Sequence, residues 1–253
     1  NRSSSFETVN EAVISDYISS VTRLSTAAGK LKIIYTALHG VGAETFISVF
    51  QKAGFNDLIL VSEQNEPDPN FPTTAFPNPE ESGVIDLAIE YAKKHNADLV
   101  IANDPDADRC AVAVNDPESG WRMLRGDEVG VILGKYLVEK NISTNKAFAN
   151  SIVSSSILSK IAKAYQLPFA ETLTGFKWIA KMINDFPELE FIGGGEESFG
   201  FMVGDAVRDK DAVASAVMIA EMAANARAQG RTVLQQLEAI HREFGQYQER
   251  LIS

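Results

Sequence analysis

Short apolar runs alternate with amphipathic stretches along this chain, and that alternation constrains the fold more than any other feature. Lys32-Ile33-Ile34-Tyr35 reads as a strand, Ala43 to Ala53 as a helix ended by Gly54, and Leu58 to Val61 as a second strand. A helix from Val84 to His95 and a strand from Leu99 to Asn103 complete a β-α-β-α-β series. Such a series predicts a parallel sheet covered by helices on both faces. Ahead of it, Val9, Val13, Tyr17, Val21 and Leu24 recur at helical spacing, and Gly29 ends that stretch. Between the second strand and the second helix of the series lie five of the nine prolines, Pro67, Pro69, Pro72, Pro77 and Pro79. That density excludes a helix or a central strand. A loop of this length in a folded domain is functional or mobile.

The second half repeats the rhythm after a turn at Asn115–Gly120 and a short strand at Trp121–Leu124. It reads as a helix from Asp127 to Lys140, strand Ala147–Ile152, helix Ser155–Tyr165, strand Phe169–Leu173, helix Phe176–Ile183 and strand Phe191–Gly193. A Gly-rich turn, a long helix from Asp211 to Gln229 and a last helix from Val233 to Phe244 follow. The expectation is an α/β protein of two consecutive α/β domains, each a mixed, mostly parallel sheet flanked by helices. The boundary falls near Arg125-Gly126, which gives domains at 1–124 and 125–253. Met218 and Met222, four apart, read as core of the long helix.

Acidic residues outnumber basic ones, 34 to 23, for a net charge of −11. That balance disfavours nucleic acid as a partner. No apolar run approaches the roughly 20 residues of a membrane span. The chain opens Asn1-Arg2-Ser3-Ser4-Ser5-Phe6-Glu7, without Met or the pattern of a signal peptide, and is expected to be an excised piece of a longer protein. One cysteine, Cys110, excludes an internal disulfide and suits the cytoplasm.

Against this background Asn103-Asp104-Pro105-Asp106-Ala107-Asp108-Arg109-Cys110 stands out. Asp104, Asp106 and Asp108 occupy alternate positions directly after an apolar strand, so their carboxylates can converge. Like charges held that close repel unless a cation sits among them. All-carboxylate ligands call for a hard ion, Mg²⁺ or Ca²⁺. A solvated acidic turn is the competing reading; the strand before the loop and the apolar return from Cys110 to Val114 favour the metal. Its position at the carboxyl end of a strand is where open α/β sheets bind ligands.

A second loop, Gly193-Gly194-Gly195-Glu196-Glu197-Ser198-Phe199-Gly200, pairs close-approach glycines with Glu196 and Ser198, which would share one face of an extended segment. A carboxylate acceptor and a hydroxyl at that spacing suit vicinal sugar hydroxyls. Nucleotide and calcium motifs fail. Ser198 and Thr45 stand where a Rossmann fingerprint needs its third glycine, and Phe201 stands where a P-loop needs lysine. An EF-hand starting at Asp104 would have Arg109 at its invariant glycine. Arg109, Lys177 and the Arg208-Asp209-Lys210-Asp211 run supply the few cations near these loops, as a phosphoryl-transfer site requires. His39 reads as a structural histidine.

Together these stretches resemble the α-D-phosphohexomutase family, which includes phosphoglucomutases and phosphomannomutases. Asp104 to Arg109 is similar to the family's Mg²⁺ loop, and Gly195 to Gly200 to its sugar-binding loop. Thr36 to Gly42, Pro77-Asn78-Pro79-Glu80, Thr174-Gly175-Phe176-Lys177 and Arg208 to Asp211 add support in the same order. Two family motifs are missing: the Ser-His-Asn-Pro loop bearing a phosphorylated serine, and the Arg-x-Ser-Gly-Thr phosphate loop. The chain therefore resembles the second and third of four domains.

For the complete enzyme the resemblance implies transfer of a phosphoryl group between the 1- and 6-hydroxyls of a hexose, through a phosphoserine and a bisphosphate. It implies Mg²⁺ on Asp104, Asp106 and Asp108, with Arg109 beside the phosphoryl group. Lys210 is the first candidate for acid/base work and Lys177 the second. Glu196, Ser198, Thr174 and Gly175 would bind the hexose phosphate, and the absent domains would be this chain's partners. The Glu-Glu-Ser-Phe-Gly sequence favours a phosphoglucomutase- or phosphopentomutase-like specificity, with phosphomannomutase as the alternative. A haloacid-dehalogenase-type phosphatase and a non-catalytic sugar-phosphate binder are remoter readings. The fragment alone is expected to be inactive.

Overall fold

Strands form where β-branched and apolar residues are buried on both sides. In the computed structural model, which describes residues 8–26, 29–141 and 145–247, β1 (Ile33–Thr36) and β3 (Leu99–Asn103) are buried along their whole length. That is the burial of parallel strands with helices on each face. β1 pairs in parallel with both β3 and β2 (Leu58–Leu60), a half-buried edge strand. β4 (Cys110–Asp116) and β5 (Gly120–Met123) add an antiparallel hairpin, so the first sheet is mixed, in the order β2-β1-β3-β4-β5. Helices α1 (Glu11–Thr22), α2 (Ala43–Lys52) and α3 (Asp86–His95) flank it.

The second sheet repeats this plan with β6 (Lys146–Ser151), β7 (Phe169–Thr172), β8 (Glu190–Glu196) and β9 (Gly200–Val203), in the order β7-β6-β8-β9. β6 pairs in parallel with β7 and β8, and β9 returns antiparallel to β8. Its helices are α4 (Gly126–Lys140), α5 (Ile157–Ala164) and α6 (Phe176–Asp185), followed by α7 (Ala212–Ala228) and α8 (Val233–Phe244). α4 starts immediately after the first sheet, where Glu128 accepts the Arg125 backbone N–H at 2.8 Å and closes one of the helix's open donors. α7 is buried along nearly its whole length, Met218 and Met222 included. It packs on β9 and α4 of the second sheet and on β3, β4, α1 and α2 of the first.

Two expectations need correction. The strand β8 runs on past Gly193, where the sequence reading ends it, so Gly194 and Gly195 lie inside a buried strand and not in a turn. A Cβ on Gly193 would sit 2.8 Å from Leu137 Cδ1, and one on Gly194 would sit 2.7 Å from Ile179 Cγ2. The glycines thus make room for helices packed on the sheet rather than for a ligand. Val9 and Val13 do not belong to the buried stripe of the first helix: both are exposed, and α1 buries Ile18 and Val21. The opening stretch, residues 1–7, lies outside the described residues. Of the two readings open for the proline-rich segment, functional or mobile, its contacts favour the first. His39 is buried, with Nε2 2.8 Å from Thr73 Oγ1, and its carbonyl accepts the Asp68 N–H at 3.1 Å.

Candidate active site

The acidic loop leaves β3 and turns sharply. Ala107 takes φ +58° and its N–H returns to the Asp104 carbonyl at 2.9 Å. Convergence of the carboxylates comes from this turn and not from an extended strand. Ligand oxygens of Asp104, Asp106 and Asp108 all lie within 4.8 Å of one another. Asp104 is buried, Asp108 half-buried and Asp106 exposed. Asp104 Oδ1 accepts two backbone N–H groups, from Asp108 at 3.1 Å and from Arg109 at 2.9 Å. Burial pushes the Asp104 carboxyl up to about 7; the Arg109 N–H opposes this, and the charges of Asp108 and Asp106 add to it. A bound cation would reverse that penalty. The donors are hard oxygens only, which fits a divalent cation of the Mg²⁺ or Ca²⁺ type.

Arg109 is fixed from several sides. Its Nε lies 3.6 Å from Asp104 Oδ2 and 3.9 Å from Asp108 Oδ1. Nη1 donates to Asn78 Oδ1 at 3.2 Å, so the proline-rich loop reaches into the site. The Arg109 carbonyl accepts from Asn103 Nδ2 at 3.0 Å, and Asn103 Oδ1 accepts from the buried Tyr35 hydroxyl at 3.0 Å. Sequence reasoning misses Asn78, which stands there only within a matching stretch, with no role of its own. A side-chain amide between two prolines is the available signal.

The second loop meets the first directly. The Cys110 N–H donates to the Phe199 carbonyl at 2.9 Å, and Arg109 and Gly200 form an antiparallel bridge. Residues 197–199 are a tight turn with Phe199 at φ +63°, so Glu196 and Ser198 do not sit on one extended face. Glu196 ends β8, and its Oε1 accepts the Gly175 N–H at 2.6 Å at the start of α6. Gly175 and Glu196 are thereby brought together; Ser198 is half-buried in the turn, and Thr174 is exposed beside Gly175. Glu197 faces away, its Oε2 accepting from Ser154 Oγ at 3.1 Å.

Lys210 crosses from the second unit to the first. Its Nζ contacts Asp108 Oδ2, and its stem lies over Gly200, where a Cβ would come within 2.4 Å of Lys210 Cδ. Next to it, Asp211 caps α7, accepting the Ala214 N–H at 2.9 Å and the Tyr17 hydroxyl at 2.8 Å. Lys177 stands beside Gly175, its Cε 3.8 Å from the point a Cβ on that glycine would occupy. It is exposed on the first turn of α6, with Nζ 5.7 Å from the Trp178 ring centroid.

The chain matches known proteins along most of its length. The family models described as "Phosphoglucomutase/phosphomannomutase, alpha/beta/alpha domain II" and "domain III" match residues 15–120 and 125–244. A Haemophilus influenzae protein named "Probable phosphomannomutase" is 42% identical over 248 residues, 97% of this chain and 50% of that protein. A Staphylococcus haemolyticus "Phosphoglucomutase" is 37% identical over 249 residues, 97% of this chain and 45% of the relative. The chain thus spans about half the length of these curated relatives. A solved phosphoglucomutase/phosphomannomutase family protein from Burkholderia thailandensis has the same fold, with a TM-score of 0.73 at 17% identity over 90% of this chain and 46% of that one. With its acidic loop, its glycine-rich hairpin and both domain matches in one order, the chain belongs to the phosphoglucomutase/phosphomannomutase family, the α-D-phosphohexomutases, and represents its second and third domains.

Proposed function

We propose that this chain is the cation- and sugar-binding half of a Mg²⁺-dependent phosphosugar mutase. The whole enzyme would move a phosphoryl group between the 1- and 6-hydroxyls of a hexose, through a phosphoserine and a bisphosphate. One observation carries the reading: two loops from different sheets meet, with Lys210 on Asp108 and Arg109 bridged to Gly200. Such a meeting gathers carboxylates, a guanidinium and an ammonium at the carboxyl ends of β3 and β8, as phosphoryl transfer requires.

Asp104, Asp106 and Asp108 would hold Mg²⁺, which supplies charge neutralisation at the transferring phosphoryl group. Arg109, already oriented by Asn78, would present its remaining N–H groups to phosphate oxygens. Lys210 would carry the sugar hydroxyl's proton. Glu196 keeps one carboxylate oxygen free of Gly175 for a ring hydroxyl, with Ser198 beside it in the turn. Thr174 and Gly175 would line the same edge. Lys177 is the weaker acid/base candidate, since it lies against Trp178.

A hexose phosphate is the proposed substrate, with the phosphoserine and phosphate-binding domains as partners supplied from outside this chain. We favour phosphoglucomutase-like specificity on the Glu196-Glu197-Ser198-Phe199-Gly200 sequence; the relatives' names include both phosphomannomutase and phosphoglucomutase. The domain division is assigned to the Leu124–Arg125 step, giving 1–124 and 125–253, and the family matches at 15–120 and 125–244 support it. A single buried thiol suits a reducing compartment, and the cytoplasm is the proposed location. Among the described residues no helix is long and apolar enough to cross a membrane.

Two measurements test the reading. The purified chain should show no conversion of glucose 1-phosphate to glucose 6-phosphate, because the phosphoryl donor lies outside it. Measurable turnover by the chain alone overturns that division of labour. Asp106→Asn should weaken Mg²⁺ binding at least about tenfold in calorimetric titration, the scale for losing one carboxylate ligand. An unchanged titration removes the cation from this loop.

A further inference from the structure

We propose that Lys210 and the divalent cation exchange at Asp108, so that cation binding to the first unit releases the lysine of the second. This inference rests on reading the acidic loop as a cation site. Asp108 carries competing claims on its carboxylate, beside the Arg109 Nε that lies 3.9 Å from its Oδ1. Its Oδ2 faces the Lys210 ammonium, and the same side chain completes the Asp104, Asp106 and Asp108 cluster. An ammonium and a divalent cation brought to one carboxylate repel each other. Of the two, the ammonium is the mobile one. Asp108 is anchored by its own backbone N–H on Asp104 Oδ1 at 3.1 Å, whereas Lys210 ends a half-exposed and exposed segment, 204–209, on a flexible four-carbon stem.

The path of release is built into the hairpin. The Lys210 stem crosses Gly200, and any larger residue there would collide with Cδ at 2.4 Å and Cγ at 2.9 Å. With no side chain on Gly200, the stem lies directly on the end of β9, which borders the turn carrying Ser198. A rotation about the stem's own bonds carries the ammonium from Asp108 toward that turn. The backbone stays in place meanwhile: the Asp211 N–H donates to the Phe201 carbonyl at 2.9 Å, and the Ala212 N–H to the Ala107 carbonyl at 3.2 Å. Only the side chain has to move. The exchange makes the lysine available at the sugar-binding edge only after the cation is seated, and it imposes an order on loading.

The test uses this chain and needs no turnover. Lysine acetylation by limiting acetic anhydride is followed by mass spectrometry, with Mg²⁺ or with NaCl at matched ionic strength. Lys210 is read relative to Lys93, exposed on α3 and remote from the site. Expected is a rise in the Lys210:Lys93 ratio of about threefold or more with Mg²⁺, because an amine displaced from Asp108 is open to the reagent. In parallel, Lys210→Met should bind Mg²⁺ on the order of fivefold tighter by calorimetry, the scale of one partly exposed ion pair. If Mg²⁺ binds the wild-type chain and the ratio stays flat, the exchange is wrong while the cation site stands. If no Mg²⁺ heat appears in wild type or variant, the cation reading falls and the exchange falls with it.

Discussion

Lys210 shows how much of this site is a matter of single side chains. It belongs to the second unit in sequence, yet its ammonium sits on a carboxylate of the first. If it moves the sugar hydroxyl's proton, Lys210→Ala in the full-length enzyme should lower kcat by about 10²-fold or more, the usual scale of general acid/base contributions. A rate near that of wild type would remove the role. Residue identity makes part of this legible in advance: the three aspartates and Glu196 stand out by type and spacing, whereas Arg109 and Lys210 are singled out by the family resemblance. The hand-offs between them do not. Asn78 reaches Arg109 across 31 positions, and Glu196 reaches Gly175 across 21. Such pairings depend on where loops land after folding, which local pattern does not encode.

At the scale of the element, periodicity places the strands and helices to within a residue or two at most ends, because burial and period agree there. It misreads β8. Three glycines in a row are poor strand formers, and a flexible turn is the natural local reading. Tertiary packing overrides it, since Leu137 from α4 and Ile179 from α6 occupy the space a side chain would need. Gly194→Ala should therefore destabilise the chain by about 1–3 kcal/mol through overpacking, seen as a lower urea midpoint with unchanged slope. An unaltered midpoint would mean the sheet and α6 separate freely. The turn after β8 escapes local pattern for a related reason: Phe199 sits at φ +63°, and the adjoining Gly200 bridges to Arg109 of the other unit's loop.

For the molecule as a whole, Glu221 on α7 ties both units together. Its carboxylate accepts from Lys140 and Tyr136 of α4, and from Ser25 and the Thr26 N–H just beyond α1. Burial alone would raise this carboxyl, but Lys140, Tyr136, Ser25 and Thr26 outweigh it and hold it below its ordinary 4.5. A depressed folded-state value means the stabilisation is fully present above the unfolded value and is lost as pH falls through the folded one. Glu221→Ala should cost about 3 kcal/mol near neutral pH, the lower end for a broken buried pair because Lys140 keeps some solvent contact. The deficit should shrink below pH 4.5; a deficit constant with pH would assign it to packing instead. Two α/β units are legible from the repeated rhythm, but their mutual dependence is not, since α7 looks in sequence like a helix of the second alone. That dependence sets a timetable for synthesis. The first sheet is complete in strands by Met123, yet the helix that covers β3 and β4 begins only at Ala212. At 5–20 residues per second, a ribosome takes roughly 5–20 s to make the intervening stretch. Through that interval α1, α2 and α3 already flank the first sheet, and only the surface of β3 and β4 that α7 takes stays open to solvent.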